Sequence, residues 1–320
     1  MTIKRRDFLY GAGVAAAIGV SDSVNHATAA DTSDEPAYTG KREGNPISIS
    51  TYSYWRYRDD SETTIVDCLE MAARDGFDGV EVLEKQMERR DPEYLRLLKR
   101  IALRSGLSLC GLSSHQGFVW PDAVKRQENI DTTIASIELA YELGIPIVRI
   151  NTGRWNTSGD FDALMRQRGI EDPIPGYTDA DAFPWVVDSI AACLPTAEKC
   201  GVMLGLENHW GLARLPEGQL ALIDAIDSPL LTVILDTGNF LEDPYEKIEA
   251  VAPRTEYMHA KTYYGGGTWY TLDLDYDRIA SIMHAVSYHG FVSLEYEGKE
   301  PAETAIPRSL ALLRAAFRYK

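Results

Sequence analysis

Apolar and polar positions along the chain follow a repeating order: a short apolar run, a polar connection, an amphipathic stretch, a glycine, then the next apolar run. The clearest run is Val202 to Trp210, VMLGLENHW. Val202, Leu204 and Leu206 alternate with Met203 and Gly205, so helices can cover both faces, as expected of a buried parallel strand. The run ends in chemistry, because Glu207 emerges at the strand's C-terminal end and Asn208 and His209 follow it. Three later segments end the same way: LLTVILD in Asp236, TEYMH in His259 and FVSLE in Glu295. Each interval between these residues has room for a loop, a helix and the next strand.

The same grammar covers the rest of the chain. Ile47 to Thr51 alternates as a first strand and runs into an aromatic loop, Tyr52-Ser53-Tyr54-Trp55. Ser61 begins a helix with Ile65, Cys68, Leu69, Ala72 and Ala73 on one face; Gly76 ends it, and the strand Gly79 to Leu83 follows. Helix, glycine and strand recur in LLKRIALRSG before LSLCGL, IELAYELG before IPIVRI, AEKCG before VMLGL, and MHAVSYHG before FVSLEY. A glycine just past a helix accepts the left-handed conformation that turns the chain back to the sheet. Strands are expected to start near Ile47, Val80, Leu107, Ile145, Val202, Leu231, Glu256 and Phe291, with a last helix from Ala302 to Phe317. Eight strands alternating with helices predict an α/β fold, a single-domain (β/α)8 TIM barrel over residues 46–320, with its chemistry at the C-terminal strand ends. Two connections on that side are long enough to serve as lids. Asn151 to Ala180 contains Trp155, Pro173, Pro175, Gly176 and Tyr177, and Tyr263 to Leu272 contains Gly265, Gly266, Gly267 and Trp269.

The N-terminus is read apart from the barrel. Lys4-Arg5-Arg6-Asp7-Phe8-Leu9 precedes a small, apolar, Gly/Ala-rich run and then Ala27-Thr28-Ala29, so residues 1–29 are expected to be a twin-arginine signal peptide. Residues 30–45 are polar, contain Pro and Gly, and read as a linker. Export would place the mature chain in the periplasm or outside the cell, with no segment left to insert into a membrane. The four cysteines do not form a disulfide framework, since Cys193 and Cys200 share a predicted helix about 10 Å apart at helical rise; buried free thiols are expected. A formal net charge of −16 disfavours a nucleic-acid partner, because phosphate binding needs a basic face. A small-molecule partner is expected, with self-association into a homo-oligomer left open.

Glu207, Asp236, His259 and Glu295 at the mouth of one barrel make a mixed oxygen and nitrogen site for a divalent metal such as Mn, Mg, Co or Zn. Four buried polar groups ending four apolar strands would be costly without a cation. His115, His209, Lys261 and Glu81 are further candidates for the pocket. Trp55, Trp155, Trp210, Tyr263 and Trp269 fall at or beyond strand ends, where aromatic faces can pack on the C–H face of a sugar ring.

Leu206-Glu207-Asn208-His209, Leu235-Asp236-Thr237-Gly238-Asn239, His259-Ala260-Lys261 and Ser293-Leu294-Glu295 together resemble the xylose isomerase-like sugar phosphate isomerase/epimerase superfamily. Gly76-Phe77-Asp78-Gly79-Val80-Glu81 resembles its second-strand motif. The resemblance implies that Glu207, Asp236, His259 and Glu295 bind the metal and that the two glutamates also move the substrate proton. It implies a sugar isomerase or epimerase that abstracts an α-proton through an enediolate. From their own positions and chemistry, His115, His209, Asn239, Lys261, Glu81 and Trp155 are expected to bind substrate. The family pattern has His where this chain has Asn239, which can hydrogen-bond a hydroxyl but cannot take a proton. That departure and the export signal favour the alternative, a lyase or dehydratase acting on a 3-oxo-sugar, 3-oxo-glycoside or inosose-type substrate. A non-catalytic carbohydrate-binding barrel would have no need of a carboxylate pair around a metal. The nuclease branch of the superfamily, with its trinuclear zinc site, needs more histidines than are present.

Overall fold

The computed structural model describes residues 43–55 and 63–319; the expected signal peptide, most of the expected linker and the expected helix start at Ser61 lie outside these residues. Eight parallel strands close into one barrel in sequence order. They are β1 (Ile47–Ser50), β2 (Gly79–Leu83), β3 (Ser108–Ser113), β4 (Ile147–Ile150), β5 (Met203–Glu207), β6 (Leu231–Asp236), β7 (Thr255–Thr262) and β8 (Val292–Tyr296). Every expected strand start falls within two residues of the observed one. The aromatic stretch Tyr52–Trp55 is one helical turn instead of a loop.

The helix ends follow from local chemistry. Thr64 caps the helix Ile65–Asp75, its hydroxyl accepting from the Asp67 amide while the Asp67 carboxylate accepts from the Thr64 amide. Gly76, Gly106, Gly144 and Gly201 each end a helix in the left-handed region, as the sequence predicts. Gly290 does not. The helix Tyr276–Ala285 ends earlier, and Ser287 takes the left-handed conformation (φ 59°).

Outward-facing strand residues such as Val80, Leu112, Leu206 and Leu294 are buried against the helices. Inside the barrel, Cys110, Ile147, Ile234 and Tyr257 form a separate apolar plug, with Met203 and Phe291 packed on it. Gly205 belongs to this packing, since a Cβ there would stand 2.4 Å from the Ile234 side chain. The plug fills the barrel interior beneath the C-terminal strand ends, where the chemistry of such barrels sits. Cys68, Cys110 and Cys193 are buried free thiols, and Cys200 is a half-buried one. Among the described residues no helix is long and apolar enough to cross a membrane.

Candidate active site

Strand register decides which side chains meet. Glu207 and Asp236 are the last residues of β5 and β6, and Asp236 pairs with His259 of β7. β7 runs on past His259 to Thr262, so Lys261 reaches the mouth and stands level with Glu295 of β8. Asn208 fixes the β5–β6 junction: its amide donates to the Asp236 carbonyl (2.9 Å), and its Oδ1 accepts from the Asp236 amide (2.6 Å).

His259 lies between carboxylates. Its Nδ1 is 2.9 Å from Glu207 Oε1 and 3.9 Å from Glu295 Oε1, and its Nε2 is 2.8 Å from Glu81 Oε2. Burial alone would lower its pKa, but Glu81, Glu295 and Glu207 together hold the imidazole well above its ordinary value. Glu207 turns its other oxygen to Arg149 Nη1 at 2.8 Å. Burial pushes the Glu207 carboxyl up, and Arg149 with the histidines carries it well below the usual range. Burial, with the neighbouring Glu295 and Glu207 charges, pushes Asp236 up to about 7 against the pull of Lys261. Glu295 is raised as well, first by burial and then by Glu207 and Glu81.

The donors suit a divalent cation. Ligand atoms of Glu207, Asp236 and His259 lie within 4.8 Å of one another, as do those of Glu81, His259 and Glu295. Two donors on one ion stand at most about twice a 2.0–2.6 Å bond apart, so these clusters need little adjustment. Asp236 Oδ1 accepts from the Gly238 amide, while Oδ2 contacts Lys261 Nζ at 3.1 Å without an aligned hydrogen bond. A buried carboxylate oxygen so under-satisfied, on a group that burial drives toward its protonated form, is what a cation would relieve.

Glu81 takes a different place from the one expected. It is the third residue of β2, one layer below the mouth, and does not line the cavity. It accepts from Ser113 and from Ser293 (2.9 Å) and faces His259 Nε2, the partner that fixes ring orientation when the other nitrogen binds a metal. Glu81→Gln is expected to weaken divalent-ion binding roughly 10–100-fold with the fold intact. Calorimetric titration with Mn²⁺ measures this, and parent affinity in the variant would remove Glu81 from the site.

Trp155 also departs from expectation. It does not line the cavity but donates to Asp179 Oδ1 (2.7 Å) and packs edge-on against Trp185, pinning the long loop to the helix Asp179–Cys200. His115, His209, Asn239 and Lys261 do line the cavity, whose volume is about 810 Å³. Burial holds the His209 imidazole at about 3, hence neutral. Lys261 Nζ is shared among Asn239 Oδ1 (3.0 Å), Asp236 (3.1 Å), Glu297 (3.2 Å) and Glu295 (3.6 Å). Asn239 Nδ2 is buried and has no hydrogen-bond partner among the described residues. Among the residues of the site that were not anticipated are Arg149 and Glu297, which contact the carboxylates and Lys261 directly. A charged residue inside the apolar strand IVRI was the available signal for the first, and same-face spacing from Glu295 for the second.

Solved structures share the fold. The E. coli 3-keto-D-glucoside 4-epimerase superposes with a TM-score of 0.67 at 15% identity, covering 85% of this chain and 99% of that one. A D-psicose 3-epimerase from Clostridium cellulolyticum gives 0.66 at 16% identity, covering 86% and 100%. A stretch of 73 residues is 41% identical to the 3-oxo-isoapionate decarboxylase of Pectobacterium atrosepticum, spanning 22% of this chain and about a quarter (26%) of that protein. Residues 69–316 match the xylose isomerase-like TIM barrel family, and the chain belongs to it.

Proposed function

We propose that the protein is a metal-dependent sugar isomerase or epimerase that moves an α-proton between two carboxylates. The observation that carries this is that Glu207 and Glu295, from non-adjacent strands β5 and β8, both line one cavity and both approach the same His259, which is buried beneath it and does not line it. Glu207, Asp236, His259 and Glu295 would hold the cation, which when bound supplies Lewis-acid polarisation of substrate oxygens. Arg149 holds the Glu207 carboxyl well below the usual range, which suits it to accept the C–H proton, while Glu295, whose carboxyl burial raises, is the group on the other side of the site to return one. Asn239 Nδ2 and Lys261 are placed to hold substrate oxygens.

Two observations favour a second reading, in which the same proton abstraction leads to bond cleavage. Asn239 cannot relay a proton, and the partial likeness to a 3-oxo-isoapionate decarboxylase is to a carbon–carbon bond-cleaving enzyme. Incubation of the Mn²⁺-loaded protein with 3-oxo-sugars and ketoses in D2O separates the two. Deuterium at an α-carbon with the skeleton intact supports the isomerase; a shortened or dehydrated product supports the lyase. Neither outcome would support a non-catalytic barrel.

We further propose export by the twin-arginine route, supported by Arg5-Arg6 ahead of an apolar run ending in Ala27-Thr28-Ala29. Changing both arginines to Lys is expected to leave the protein in the cytoplasmic fraction. Continued export of that variant on cell fractionation would point to the general secretion route instead.

A further inference from the structure

We infer that the cavity carries a second, outer subsite, formed by Phe161 and Trp269, for an uncharged second ring of a glycoside. This rests on the sugar reading above and extends it to substrate class. Ligand cavities for drug-sized molecules run roughly 300–1,000 Å³. At about 810 Å³ this one has room for more than a single sugar ring.

The lining divides by chemistry. Strand ends supply Arg149, Glu207, Asp236, Asn239, Lys261 and Glu295, whereas the loops supply aromatic faces. Phe161, from the long loop after β4, and Trp269, from the long loop after β7, meet edge to face with ring centroids 4.8 Å apart. The Trp269 indole N–H donates to Asp162 Oδ1 at 2.8 Å, so its polar edge is satisfied within the protein and its apolar body is what remains to offer. Phe161 and Trp269 stay 40% and 41% exposed while lining a cavity continuous with the carboxylates. Exposed aromatic faces at such a place suit the C–H face of a pyranose, and the concave setting suits a small molecule better than a protein.

Charge sets the class further. The lining holds four basic side chains, Lys85, Arg149, Arg154 and Lys261, and four acidic ones, Glu207, Asp236, Glu295 and Glu297. Arg149 and Lys261 already face these carboxylates, and Arg154 is paired with Glu171. The divalent ion proposed above would add positive charge at the inner carboxylates, so the balance bears on the outer ring alone, where Phe161 and Trp269 offer apolar faces that suit an uncharged ring.

Calorimetry on the full chain with Mn²⁺ present tests this, using D-glucose, cellobiose and maltose as probes. At least one disaccharide is expected to bind ten times or more tighter than glucose. Trp269→Ala and Phe161→Ala should each remove roughly threefold to tenfold of that advantage while glucose affinity stays put, and Trp269→Tyr should restore most of it. Equal affinities for glucose and both disaccharides, or variants that weaken all probes alike, would overturn the outer subsite and leave the sugar reading standing. Binding by none of the three would likewise overturn the outer subsite, the sugar reading being decided separately by exchange with ketoses and 3-oxo-sugars in D2O.

Discussion

Asp236→Asn protein purified under metal-replete conditions is expected to lose its divalent ion, with affinity down by more than the roughly 10–100-fold typical of a partner one shell out. Asp236 is fully buried, held by Asn208 through its backbone, and leaves Oδ2 without an aligned hydrogen bond. Asn keeps the size and the Oδ1 contact but removes the charge that attracts the ion. Elemental analysis decides it, and unchanged stoichiometry would end the four-residue assignment.

The same residue gives the pH dependence its sign. Burial and the neighbouring carboxylates push Asp236 up to about 7, and the carboxylates around His259 hold that imidazole well above its ordinary value. Both groups therefore carry protons that an ion must displace. Below about pH 7, apparent affinity should fall about tenfold per pH unit for the Asp236 proton alone. In the metal-free chain a raised Asp236 binds a proton when folded that it lacks when unfolded, so its contribution to stability declines as pH rises from the ordinary carboxylate range to about 7. His259 acts in the same direction, its contribution being present at acidic pH and lost as pH rises through its folded value. Glu207 is depressed and opposes them, contributing stability that is lost only as pH falls below the ordinary carboxylate range. Melting curves with and without Mn²⁺ should thus diverge most at neutral to alkaline pH, and equal separation at pH 5.5 and 8 would contradict this.

Much of the barrel was legible because its signals are local. Apolar runs bounded by Gly76, Gly106, Gly144 and Gly201 locate strand starts within two residues, since each glycine occupies a left-handed turn that only neighbouring residues determine. Where another residue took that conformation, as Ser287 did, the glycine signal misplaced the helix end but not the strand start. The site was legible only as far as strand ends go. Glu207 and Asp236 end their strands as read, whereas Glu81 sits mid-strand and His259 three residues before the end of β7. Depth in a barrel depends on stagger between strands, which apolar pattern does not report.

Long-range pairings were less accessible still. Arg149 looks anomalous in an apolar strand until closure sets β4 beside β5, with Arg149 opposite Gly205 and its guanidinium on Glu207. Trp155 and Trp269 read alike as aromatics beyond strand ends. One is tied down by Asp179 and Trp185, and the other spans to Asp162 in a loop 107 residues away. Nothing near either tryptophan in sequence distinguishes them.

Glu207→Gln is expected to slow α-proton exchange and Glu295→Gln to slow product formation, each at least 10²-fold, within the roughly 10²- to 10⁴-fold that positioned acid and base groups contribute. Gln keeps the shape of each side chain and can still contact a cation, but it can neither accept nor return a proton. The two positions are not equivalent. Arg149 and His259 hold Glu207 ionised, so its loss should abolish abstraction from whichever face it addresses; Glu295, raised by burial and by Glu207 and Glu81, should matter most for reprotonation. An epimerase with Gln at 295 would then wash deuterium into its substrate from one face while forming little product, and one with Gln at 207 would do neither in the forward direction. Because both residues are also candidate ligands, exchange in D2O must be scored per bound metal for each variant. If both variants retain their ion and exchange at the parent rate, the base lies elsewhere, and His115, which lines the same cavity with Arg149 Nη2 3.3 Å from its Nδ1, is the next side chain to replace.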